Sequence, residues 1–275
     1  MKLLLATLTV CCLAAAPLAS GGQRTYPNAL VVLGAATAAG YGADPAHPYS
    51  ISPQNSWGTG TNPAVRSVYS RLLELNPGIK GHAVNIAHET DAGTELDELA
   101  GQVKQALTLT PKPQLVLVNV IERNLKCDGT TETDFAGYGA KYGAALDALT
   151  QGLPNARIVV VSQWGSSASY VKYLESLPVG ARLKHAGKGP CQLVQSPTGQ
   201  VSAERTDYAN KIVAGEQAKL RSACKQHPQC RYDGGAAQRV TVTPADVSLV
   251  QFSPSSQGQA KLAAAEWAVV MAALS

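Results

Sequence analysis

Leu115-Val116-Leu117-Val118 is apolar at every position, and that pattern leaves the segment few places to go. Side chains alternate across a strand, so apolar residues at consecutive steps need cover on both faces. The run to Ile121, broken only by Asn119, therefore reads as a central strand of a parallel sheet. Leu30 to Leu33 is a second buried strand candidate, Val84 to Ala87 a short one, and Ile158 to Ser162 another.

Segments of helical period lie between these runs. Val65, Val68, Leu72 and Leu73 form an amphipathic stripe that opens near Asn62-Pro63 and stops at Asn76-Pro77-Gly78. Thr94 to Asp97 matches a capping box, with Leu96, Leu99, Val103 and Leu107 facing inward after it. Phe135, Tyr138, Tyr142, Leu146 and Leu149 mark a further helix, and Leu262, Ala263, Trp267 and Val270 a last one from about Ser256. Strand and helix in alternation predict a three-layer α/β/α sandwich around a parallel sheet. Residues 166–200 break the rhythm and read as an inserted loop region, with some helix near Tyr170 to Leu177.

The first 21 residues read as a secretory signal: Lys2, an apolar run from Leu3 to Ala16, and the small-residue exit Ala19-Ser20-Gly21. That apolar run is too short to span a bilayer, so no membrane span is expected after cleavage. Residues 22–275 then form a single domain, exported and monomeric, with association to a cell surface left open. Abundant Ala and Gly associate with a GC-rich bacterial source. The net charge of +4 is too mild and dispersed to imply nucleic acid.

Cys11 and Cys12 fall inside the signal, leaving Cys127, Cys191, Cys224 and Cys230. An even number in an oxidising compartment predicts two disulfides, with three possible connectivities. Nearness in sequence pairs Cys224 with Cys230 and leaves Cys127 with Cys191. No Cys-x-x-Cys or His/Cys spacing points to a metal, and no motif points to a cofactor.

Four ordered blocks carry further information. Leu30 to Leu33 leads into Gly34-Ala35-Ala36-Thr37-Ala38-Ala39-Gly40, and Asn85-Ile86-Ala87-His88-Glu89-Thr90 follows. Glu122-Arg123-Asn124-Leu125 is the third block. Val250-Gln251-Phe252-Ser253-Pro254-Ser255, with Gly258-Gln259-Ala260 behind it, is the last. Together they resemble the SGNH/GDSL hydrolase family of esterases and lipases, from Ala29 to Trp267. The resemblance implies a flavodoxin-like sandwich and an acyl-transfer site: a Ser nucleophile, an oxyanion hole and Asp-x-x-His.

By that resemblance every chemical position is vacated. Ala36 stands for the nucleophile, Thr90 for the oxyanion Gly, Val250 for the Asp and Ser253 for the His. Arg123 stands for the oxyanion Asn, although a one-residue shift puts Asn124 there instead. Residues with packing or turn roles survive: Gly34, Gly40, Asn85, Ala87, Phe252, Pro254, Ser255, Gly258 and Trp267. Such a pattern arises in a paralogue that has lost catalysis or in a deliberately ablated site.

The leading expectation is a non-catalytic protein of esterase fold that keeps a cleft for acyl, ester or glycan ligands. One alternative is an active carboxylesterase or lipase with a non-standard residue set, for which His88, Glu89 and Asp91 are the candidates. Another is a structural or partner-binding surface protein. Trp57 and Trp164 belong either to a ligand groove or to the core.

Overall fold

The computed structural model describes residues 25–88, 95–120, 127–130, 135–188, 191–248 and 252–275. Residues 1–24, where the sequence leads one to expect a signal, and positions 90, 123, 124 and 250 lie outside them. Five strands form one parallel sheet: β1 (Leu30–Gly34), β2 (Ala83–Asn85), β3 (Leu115–Asn119), β4 (Arg157–Val160) and β5 (Cys230–Tyr232). Their spatial order is β2-β1-β3-β4-β5.

The strand pleat sorts the apolar runs into two cores. Val31, Leu33, Val116, Val118, Ile158 and Val160 point to one face. They meet α3 (Glu95–Thr108), α4 (Phe135–Gly152) and α7 (Ala203–Lys225) there. Leu30, Val32, Leu115, Leu117 and Val159 point the other way. Their cover is α1 (Ala36–Ala39), α2 (Val68–Leu75) and α8 (Ser256–Ala273). This is the three-layer sandwich that uninterrupted apolar strands require.

Several boundaries differ from the sequence reading for local reasons. The helix expected to open at Pro63 starts at Val68, with Ser67 Oγ accepting from the Ser70 N–H. Asn62 instead holds a turn through the Ala64 N–H, and Arg66 takes a positive φ of 48° before the helix begins. Two further elements carry little sequence signal. The 23-residue α7 carries a core stripe of Ile212, Val213, Leu220 and Ala223 behind its cap Ser202, and β5 is a three-residue edge strand.

Residues 166–200 hold more structure than a loop region. Ser166 caps α5 (Ser167–Ser176), and α6 (Val179–Leu183) follows after Pro178. Val194 and Val201 then pair as an antiparallel bridge. Leu174, Cys191, Leu193, Val194 and Ala209 bury a satellite core of their own. The disulfides join Cys127 to Cys191 and Cys224 to Cys230, as nearness in sequence suggested. Among the described residues no helix is long and apolar enough to cross a membrane.

Candidate functional site

In an open parallel sheet the ligand crevice lies beyond the carboxyl ends of the strands, where the strand order reverses. Here the reversal falls between β1 and β3, and the residues at that edge are Gly34 and Asn119, paired in register. Gly34 has φ +134°, and a Cβ there would overlap the Asn119 carbonyl, so only glycine lets the two strand ends close up. The chain then turns: the Ala35 N–H donates to Asn119 O at 2.9 Å, and α1 begins at Ala36. Gly40 closes this one-turn helix in the left-handed region at φ 77°.

Three long polar side chains fix that turn. Gln102 on α3 grips Gly34 from both sides: its Oε1 accepts from the Gly34 N–H at 2.6 Å, and its Nε2 donates to Gly34 O at 2.9 Å. Asn85 at the end of β2 donates to Ala38 O, Ser56 Oγ and Thr59 Oγ1, and its Oδ1 accepts from the Ala87 N–H. Gln259 on α8 accepts from the Trp57 N–H and donates to Thr37 O, both at 2.9 Å. The first, second and last sequence blocks are therefore tied together around Ala36. Gln102 was not found from the sequence, because a side chain that bonds to a distant backbone leaves no periodic signal.

At the centre of this scaffold the side chain of residue 36 is a methyl group, buried against solvent. Ser253 is also buried, and its carbonyl accepts from the Ser248 N–H at 2.8 Å. Pro254 pairs with Val247, and Ser255 caps α8 by accepting from the Gly258 N–H. Thr90, Arg123 with its neighbour Asn124, and Val250 lie outside the described residues, as do Glu89 and Asp91.

His88 is described, and both its ring nitrogens are engaged. Nε2 lies 2.5 Å from Glu98 Oε2, while Nδ1 is 3.3 Å from Gln102 Nε2 and 3.2 Å from Ile86 O. A general base needs a free lone pair aimed at its substrate, and this imidazole is spent on its neighbours. Trp57 and Trp164 are fully enclosed in the core beneath α8, so neither lines a groove. Among the described residues no three His, Cys, Asp or Glu side chains gather as a metal site.

A second polar network runs along the same sheet edge. Asn119 Nδ2 donates to Ser162 O at 3.1 Å, and Ser162 Oγ donates to Asp233 Oδ2 at 2.6 Å. Asp233 also accepts from the N–H groups of Ser162, Gly235 and Ala237. Glu266 on α8 is enclosed nearby. Burial first, then the charge of Asp233, holds its carboxyl well above the usual carboxylate range. A separate cavity of about 340 Å³ opens beside the start of α8, lined by Thr243, Asp246, Gln257 and Lys261 among others. Its Lys261 ammonium and Asp246 carboxylate pair with each other at 2.5 Å.

Comparison with solved structures places the fold among esterases and lipases of SGNH/GDSL type. A putative GDSL-like lipase from Parabacteroides merdae aligns with TM-score 0.50 and 14% identity, over 90% of this chain and 96% of that one. A carbohydrate esterase family 2 enzyme with a carbohydrate-binding domain, from Corynascus thermopiles (Myceliophthora fergusii), aligns with TM-score 0.53 and 12% identity, over 94% and 69%. The salicylyl-acyltransferase SsfX3 of a tetracycline biosynthetic pathway gives TM-score 0.50 and 14% identity, over 90% of this chain but 55% of its own. This chain thus spans about half of that acyltransferase. At such identities the likeness is one of fold. No protein-family model matches the chain, and no curated protein sequence does.

Proposed function

We propose that this chain is an exported, monomeric, non-catalytic protein of esterase fold, a single domain behind its signal segment, whose cleft binds acyl, ester or glycan ligands. The observation that carries the reading is the methyl side chain of Ala36 at the head of α1, in a turn otherwise fully built. Gly34, Gly40, Gln102, Asn85 and Gln259 all hold their places around it. A methyl group has no lone pair to attack a carbonyl, and oxyanion donors cannot replace a missing nucleophile. His88, the one described candidate for a relocated base, has no ring nitrogen free. The two disulfides fit an oxidising, extracytoplasmic setting.

The purified protein should leave short-chain p-nitrophenyl esters at the background rate and take no label from a fluorophosphonate probe. Ala36→Ser alone should stay near background. The new hydroxyl would lack a general base, worth roughly 10²–10⁴ in rate. It would also lack oxyanion donors, each worth about 2.7–4 kcal/mol. Combining it with Thr90→Gly, Arg123→Asn, Val250→Asp and Ser253→His should give measurable turnover. Hydrolysis by the unaltered chain, lost on changing His88 or Ser253, would identify a rearranged enzyme instead. Short-chain fatty acids and acetylated sugars serve as ligand probes, since only a retained cleft raises the melting temperature by mass action.

A further inference from the structure

The segment that holds α5 and α6 is basic. Residues 166–200 contain Lys172, Arg182, Lys184 and Lys188 against the single acid Glu175, a balance of +3 in a chain whose net charge is +4. Lys172, Lys184 and Lys188 are exposed and have no ion-pair partner among the described residues. Arg182 Nε is buried and has no hydrogen-bond acceptor in the fold.

An aromatic row leads into this basic surface. Phe252, beside Ser253, lies 4.5 Å from Tyr170 between ring centres. Tyr170 stacks on Tyr173 at 6.2 Å and 14°, and His185 meets Tyr173 edge-on at 6.2 Å. All four rings are half-buried. Neither tyrosine hydroxyl makes a protein hydrogen bond among the described residues. Lys188 is close enough for its charge to help lower the pKa of His185, after the larger effect of burial.

We propose that this face is a binding site for acidic glycans, with sugar rings laid against Tyr173 and His185 and their anionic groups met by Lys184 and Lys188. The pairing follows from the chemistry of both partners. A sugar ring has an apolar C–H face and a polar rim, which suits a half-buried phenol with a free hydroxyl. Exposed ammonium groups without ion-pair partners, here Lys184 and Lys188, are available to carboxylates or sulfates. A lipid surface calls for protruding apolar side chains, and among the described residues of this segment only Val179 is a large exposed one. The site stands on the α5–α6 segment and does not depend on whether the cleft at Ala36 holds a ligand.

Affinity electrophoresis and titration calorimetry with polygalacturonate, neutral dextran and phosphatidylglycerol vesicles test it on the whole protein. Polygalacturonate should retard the protein and dextran should not. Lys184→Gln with Lys188→Gln removes two exposed charges without touching the core, and should weaken binding roughly tenfold. Tyr173→Ala should weaken it by about fivefold or more, while Tyr173→Phe, which keeps the ring, should bind nearly as the parent does. Equal binding of dextran would overturn the proposal, as would full binding by the double lysine variant. Loss with the lysine variant but none with Tyr173→Ala would reduce the site to bare charge and sink the glycan assignment. Retention by vesicles without retention by polygalacturonate would assign the face to anionic lipid instead.

Discussion

Gly34 and Gln102 show how one residue can be legible in a sequence and its partner invisible. Gly34 is marked by its place between an apolar run and a small-residue turn, and the structure supplies the reason in the Asn119 carbonyl that leaves no room for a Cβ. Gln102 sits in an ordinary helix, and nothing in its spacing announces that it holds a backbone 68 residues away. Its removal is a sharp test. In Gln102→Leu the Gly34 N–H is left buried without an acceptor, whereas Gly34 O keeps the His88 N–H at 3.3 Å. One orphaned donor costs about 1–3 kcal/mol, so urea denaturation should show a loss in that range. A loss under about 0.5 kcal/mol would mean that the turn repacks without it. Ser255 and Gly258, retained in the sequence for no visible chemistry, are explained likewise. Ser255 caps α8, and a Cβ on Gly258 would run into the Asp246 carbonyl and Pro254.

At the scale of elements, the strands with apolar residues on both faces were readable, and the helices less evenly so. Of the stripe expected on α2, Val68 and Leu72 are buried in the helix, but Val65 lies before it, because Asn62-Pro63 makes a turn as well as it would make a helix cap and the helix starts five residues later. The helix α7 is hard to read in the sequence because its buried face includes polar residues, among them Glu216 and Gln217. Glu216 lies fully enclosed, with Tyr142 Oη donating to its Oε2 at 2.9 Å and no partner for Oε1. Burial pushes its carboxyl up to about 7, against the partial relief of that one hydrogen bond. The folded state therefore binds the Glu216 proton more tightly than the unfolded chain does. The resulting stability is fully present below the ordinary glutamate pKa and is lost as pH rises toward 7. Differential scanning calorimetry from pH 4 to 8 should find a steeper fall for the parent than for Glu216→Gln. The variant should be relatively more stable by about 1–3 kcal/mol at pH 8. Parallel pH profiles for the two proteins would show that Glu216 is charged in the fold and compensated.

For the whole molecule, the class of fold followed from the sequence while the strand order did not. Alternation of strand and helix requires a parallel sheet with two covers, but which strands neighbour one another is a matter of pairing across the chain. That order places the crevice between β1 and β3, and so makes Ala36 and Asn119 the residues to examine. The insertion of α5 and α6 is likewise a global feature, tied to residue 127 by the Cys127–Cys191 bridge, whose partners are 64 residues apart. The Cys224–Cys230 bridge spans only 6 and ties the end of α7 to β5. In the chain-entropy picture a cross-link stabilises by restricting the unfolded chain, and the restriction grows with the logarithm of the loop. Replacing the long-range pair with alanines should then cost about 4 kcal/mol, and replacing the short-range pair about 2. Both are read from urea unfolding under non-reducing conditions. The long-range variant should also become sensitive to limited proteolysis between α5 and α7, because the satellite core around Leu174 loses its covalent tie to residue 127. If the short-loop variant proves the more damaged, the bridge beside β5 acts by holding the edge strand in register, and loop length is the wrong measure for this fold.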